Sequence, residues 1–151
     1  MAVSKCEREC GQQVCQNSAL SQMPDITVDD AQLVPRYMRN PITKAIVFGG
    51  LEPFDQADEL FALIARFRQH RCDDDIVIYT GYTESEVDEL IPPYENIIMK
   101  FGRFRTDMPP RYDDVLGVTL ASSNQYAKKW NNKKSKGVNH NVTPSGKGGI
   151  N

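Results

Sequence analysis

The sequence predicts an α/β protein built on an open parallel sheet. Two observations carry this. Apolar runs at Ala45–Phe48, Asp75–Thr80 and Asn96–Phe101 each end in glycine or polar residues, as buried parallel strands do. Between the first two lies a stretch with apolar residues at helical spacing, so the order reads β-α-β-α-β-loop-β with right-handed crossovers. Four strands are too few for a full barrel, so the expected architecture is an open or partial parallel α/β barrel.

Residues 1–25 show no clean period and hold three of the four cysteines. Asp29 or Asp30 can cap a helix running toward Arg39, with Leu33, Tyr37 and Met38 on one side and Pro35 near its start or distorting it. Asn40-Pro41 closes that segment. The first clear strand spans about 44–49. Asp55 is expected to cap the next helix, where Ala57, Leu60, Phe61, Ile64 and Phe67 form one apolar face as far as His70. Phe61 and Phe67 read as core, His70 as compensation of the helix dipole, and Cys72 as a spare thiol.

After the second strand, Gly81-Tyr82 turn the chain into a helix of about 84–90, with Thr83 and Glu86 spaced as a capping box. Pro92-Pro93 end it. The third strand closes at Gly102, and a fourth strand of about Val115–Leu120 follows the loop containing Pro109-Pro110. The strand ends would then share one rim, made of residues 49–52, 80–82, 102–103 and 121–125. Ligands collect at such rims in parallel sheets.

With 151 residues, 40% hydrophobic and 25% charged, the chain reads as one ordinary globular domain. It has no apolar run of about 18 residues to span a membrane and no secretory signal pattern. Four cysteines without an export signal point to metal or redox use and a cytoplasmic setting. The net charge of −2 is uneven: residues 128–151 carry six lysines and no acid, leaving 12 basic against 20 acidic residues before them. Trp130 is the only aromatic residue there, so residues 130–151 read as a disordered, solubilising tail and not as a nucleic-acid arm.

The most informative stretch is Lys44–Phe54. Gly49 and Gly50 lack Cβ atoms at a strand end, so a ligand can approach the backbone, and Glu52 adds a negative charge beside that contact. The same glycines also suit a tight βα turn. Gly50 and Glu52 are both placed outside the core. Cys6, Cys10 and Cys15 stand as C-x3-C-x4-C, close enough for one loop to wrap a metal centre. Thiolates suit zinc or iron–sulfur centres alike, and a structural zinc would want a fourth ligand, with Cys72 and His70 the nearest candidates.

Read together, these marks resemble the radical S-adenosylmethionine superfamily, and within it the activating proteins of anaerobic ribonucleoside-triphosphate reductase. The resemblance covers roughly residues 5–129. It rests on Cys15-Gln16-Asn17, on the Gly-Gly-x-Glu-Pro segment at 49–53, on Gly102-Arg103-Phe104, and on Ser122-Ser123-Asn124-Gln125. The common family spacing is C-x3-C-x2-C, and the family places a strand before its cysteines, whereas five residues precede Cys6 here. The chain is therefore read as a shortened member lacking a clear first strand.

The resemblance implies that Cys6, Cys10 and Cys15 ligate a [4Fe–4S] cluster whose open iron chelates S-adenosylmethionine. It implies that Gly49, Gly50 and Glu52 receive the methionine part, with Thr80 and Tyr82 on the ribose or adenine side. Reductive cleavage would give a 5′-deoxyadenosyl radical that takes a hydrogen from a glycine of the partner. The implied partners are anaerobic ribonucleotide reductase or another glycyl-radical enzyme, and an electron donor such as flavodoxin; neither nucleic acid nor membrane is implied. Two other readings stay open: a non-catalytic accessory or regulatory module, and a zinc-loop α/β protein.

Overall fold

A computed structural model of the chain describes residues 2–3, 6, 15, 17–24 and 26–130. Its centre is a five-stranded sheet with two helices on one face. The strands are β1 (Ala2–Val3), β2 (Ala45–Gly50), β3 (Asp75–Tyr79), β4 (Ile97–Phe101) and, last in the sheet, β7 (Tyr126–Trp130). Their spatial order is β1-β2-β3-β4-β7. The first four run parallel, and β7 returns antiparallel to β4 with Phe101 opposite Tyr126.

Helix α1 (Asp30–Met38) is capped by Asp29, whose carboxylate accepts from the Ala31 amide at 2.9 Å. Pro35 lies inside this helix, which continues to Met38. Helix α2 (Ala57–Gln69) begins later than Asp55, because Pro53–Gln56 form a 3-10 turn capped by Glu52. Leu60, Ile64 and Phe67 of α2 pack with Ile46, Phe48, Ile76, Ile78, Met99 and Phe101 of the sheet into one buried cluster. Full burial of a Phe or Ile contributes about 1.5–3 kcal/mol, so this spine dominates stability. Phe67 is fully buried and Phe61 packs against the cluster. Helix α3 (Glu84–Val87) is shorter than the expected 84–90, with the Glu86 carboxylate accepting from the Thr83 amide and hydroxyl. His70 is the C-cap residue of α2.

Three expectations need correction. The anticipated parallel strand at 115–120 does not join the main sheet. Val118–Leu120 (β6) pairs instead with Arg111–Asp113 (β5) as a separate antiparallel hairpin. Asp113 makes that arrangement, since one carboxylate oxygen accepts from the Val115 and Leu116 amides and the other from Ala127 of β7 at 2.9 Å. No helix crosses between β4 and β7, and a parallel return would need such a crossover.

The second correction concerns the first strand, which is present as two residues, Ala2↔Gly49 and Val3↔Gly50. Third, Trp130 belongs to the domain and not to a tail. It is buried on β7, with its ring 6.0 Å from that of Phe101. Lys128 and Lys129 also lie on β7, and Lys128 pairs with Glu84. The expected disordered tail, from residue 131 onward, lies outside the described residues. No helix among the described residues is long and apolar enough to cross a membrane.

Candidate functional site

The carboxyl ends of β2, β3 and β4 surround a cleft of about 350 Å³. The N-terminal segment meets this rim directly: Cys6 and Cys15, both half-buried, line the cleft with Gly50, Glu52 and Lys100. Asn17 follows Cys15 by two residues, and its amide nitrogen donates to the Gly50 carbonyl. Two marks 33 residues apart in the chain are thus joined at one point. Cys10 lies outside the described residues. Among the described residues no three His, Cys, Asp or Glu side chains stand together as a metal site.

Gly50 has φ of 104°, in the region that disfavours any side chain, and it lines the cleft. Gly49 is different. A Cβ there would lie 3.7 Å from the Tyr79 Cβ, an ordinary contact, and Gly49 is not on the cleft wall.

Glu52 is buried, contrary to its expected place outside the core. Its Oε1 accepts from the Thr80 hydroxyl at 2.7 Å and the Phe54 amide at 3.2 Å, and its Oε2 from the Gly81 amide at 2.8 Å. The carboxylate therefore ties the end of β2 to the end of β3 and caps the 3-10 turn. Burial pushes its carboxyl above the usual value, opposed by those three donors. Thr80 lines the cleft but is itself buried, donating to Glu52 and accepting from the Tyr82 amide at 3.0 Å. Tyr82 is not on the cleft wall. Its hydroxyl donates to Asp55 at 2.7 Å and its ring lies 5.0 Å from the Arg103 guanidinium.

Sequence reasoning missed Lys100. It is buried on β4, lines the cleft, and donates through Nζ to the Gly102 carbonyl at 3.1 Å. Burial pushes its ammonium down to about 8, against the attraction of the Glu52 carboxylate. A lysine inside the apolar run Ile97–Phe101 was the available signal.

The Ser122–Gln125 segment is a clasp on the end of β4. Asn124 donates to the Arg103 carbonyl at 2.8 Å and Gln125 to the Gly102 carbonyl at 3.1 Å. Ser122 is fully buried, with its hydroxyl accepting from the Arg105 amide. Gly102 has φ of +97°, and a Cβ there would stand 3.1 Å from the Asn124 carbonyl. The polarity of this stretch is thus largely spent on the protein's own backbone.

Residues 1–111 match the family model described as a 4Fe-4S single cluster domain. The chain belongs to that family. No curated protein and no solved structure matches it. Membership makes the chain an iron–sulfur domain; Cys6 and Cys15, which line the cleft, carry soft thiol donors of the type that suits such a cluster. Cys72 does not join them: it is buried in the core cluster with Phe67 and Ile76. The zinc reading, which looked to Cys72 for a fourth ligand, finds no support in that placement.

The state of Lys100 gives a pH dependence whose sign is definite. Its folded value of about 8 lies below the usual 10.5, so between those values the unfolded chain holds a proton that the folded chain has released. Stability therefore rises with pH across that window, by about 2 kcal/mol between about pH 7.5 and pH 9.5. Tyr37, Tyr79 and Tyr126 have raised values, chiefly from burial, so the trend reverses above about pH 10. Urea unfolding of the wild type and of Lys100→Met should show the rise in the first and a flat profile in the second.

Proposed function

We propose that this iron–sulfur domain is an S-adenosylmethionine-dependent activase that generates a glycyl radical on anaerobic ribonucleotide reductase. The observation that supports this reading most is the meeting of the cysteine segment with the Gly-Gly-x-Glu-Pro segment. Cys6, Cys15, Gly50 and Glu52 line one cleft, and Asn17 bonds to Gly50. Cys6, Cys10 and Cys15 would hold the cluster. When bound, the reduced cluster supplies the electron for cleavage of S-adenosylmethionine.

The remaining work belongs to this chain's own residues. Gly50 leaves space for the methionine part against the backbone. Glu52 has about four acceptor positions and three donors on them, so one on Oε2 remains to orient an ammonium group. The β5–β6 hairpin forms one wall through Val118 and Leu120 and keeps water from that side. Thr80 and Tyr82 act from behind, by holding Glu52 and the start of α3 in place.

Anaerobic reconstitution followed by iron and sulfide analysis tests the cluster, with about four irons per chain expected. Adding reductant, S-adenosylmethionine and an anaerobic ribonucleotide reductase encoded alongside should then give an organic radical signal on the reductase. Cofactor cleavage without that signal would rule out this partner, and zinc in place of iron would rule out the cluster.

A further inference from the structure

The charged side chains that line the cleft are Glu52, Lys100 and Arg103, and they differ in how far their charge is already answered. Glu52 is held by its three donors. Arg103 stands 3.5 Å from Glu86 and against the Tyr82 ring, with its side chain 28% exposed, so partner and water both screen it. Lys100 is 8% exposed, and its Nζ donates to the Gly102 carbonyl, which bears no net charge. Among the described residues no carboxylate stands within ion-pair distance of that nitrogen. A buried charge without an ion-pair partner keeps a field that water and counter-ions screen weakly. Cys6 and Cys15 line the same cleft.

We infer that Lys100 raises the reduction potential of the iron–sulfur cluster, by placing an ammonium group in the cleft that the cysteines line. A low-potential one-electron donor reduces the cluster without making or breaking a bond, so the cleft gains one unit of negative charge. The ammonium attracts the reduced form more than the oxidised one, and it needs no contact to do so. A cleft of about 350 Å³ is on the order of 10 Å across. Over that distance, at an effective dielectric constant of about 20, a unit charge shifts a one-electron equilibrium by about tenfold. Net charge around a cluster is one of the levers that set its potential. The inference rests on the cluster and its cysteine ligands, and not on the cofactor or the reductase proposed above.

The test is a potentiometric titration of the reconstituted full chain at about pH 7, followed by the electron paramagnetic resonance signal of the reduced cluster. At that pH the ammonium is charged, its value being about 8. Lys100→Met should lower the potential by about 59 mV, which is tenfold for a one-electron couple. Lys100→Gln, which keeps a donor for the Gly102 carbonyl and removes the charge, should lower it as far, and Lys100→Arg should stay near the wild type. Iron content and melting curves establish that each variant is loaded and folded. The direction separates charge from loosened packing. A variant that merely admits water stabilises the more highly charged reduced form and raises the potential. An unchanged or raised potential in Lys100→Met and Lys100→Gln overturns the role of Lys100 and leaves the iron–sulfur domain standing. A wild type that assembles no cluster overturns the cysteine ligand set as well.

Discussion

Cys6→Ala, Cys10→Ala and Cys15→Ala are each expected to abolish the broad visible absorbance of the reconstituted iron–sulfur protein, whereas Cys72→Ala keeps it. The contrast rests on position. Cys6 and Cys15 line the cleft, and Cys72 is 3% exposed within the core beside Phe67 and Ile76. A cluster that loses one of three thiolates loses most of its affinity, because apo ligands must be deprotonated and ordered for each bond made. Loss of a buried cysteine side chain removes packing only. Cys72→Ala should therefore lower stability by about 1 kcal/mol while iron content per folded chain stays unchanged. Equal loss of absorbance in all four variants would show that the ligand set is wrong.

Glu52→Ala should destabilise the fold by about 3–5 kcal/mol, a far larger effect than expected of a residue that only touches ligand. Removing the carboxylate leaves the Thr80 hydroxyl and the Gly81 and Phe54 amides without their acceptor. It also leaves Lys100 without the charge that offsets its burial. Glu52→Gln should lie between, since one amide oxygen can still accept. Urea unfolding without ligand measures this directly. A midpoint that does not move in Glu52→Ala would mean that the carboxylate is a surface group, and the three hydrogen bonds assigned to it would be wrong.

The two effects differ in how far they could be read from the chain. The cysteine prediction follows from spacing and type, and the family match to residues 1–111 supports the iron–sulfur class. The Glu52 prediction reverses an expectation. A glutamate after two glycines reads locally as a loop charge, and only the packing of β2 beside β3 supplies two of its three donors, the Thr80 hydroxyl and the Gly81 amide. Lys100 was hidden for a related reason: in a strand pattern it is one polar residue among Ile97, Ile98, Met99 and Phe101. The role of the Ser122–Gln125 stretch was not legible either, because hydrogen-bonding side chains look alike whether they face a ligand rim or the chain's own carbonyls.

The sequence by itself determined the elements whose signals are local. Apolar runs placed β2, β3 and β4 to within a residue or two, the 3.6-residue spacing placed α2, and Thr83 with Glu86 placed the start of α3. It also marked the segments that gather at the rim. What only the tertiary structure decided were the long-range pairings: the antiparallel entry of β7, the hairpin latched by Asp113, and the burial of Glu52 and Lys100 along one cleft. Periodicity records which side of an element avoids water. It does not record which distant groups will share that dry space, and the meaning of a buried charge depends on that neighbour.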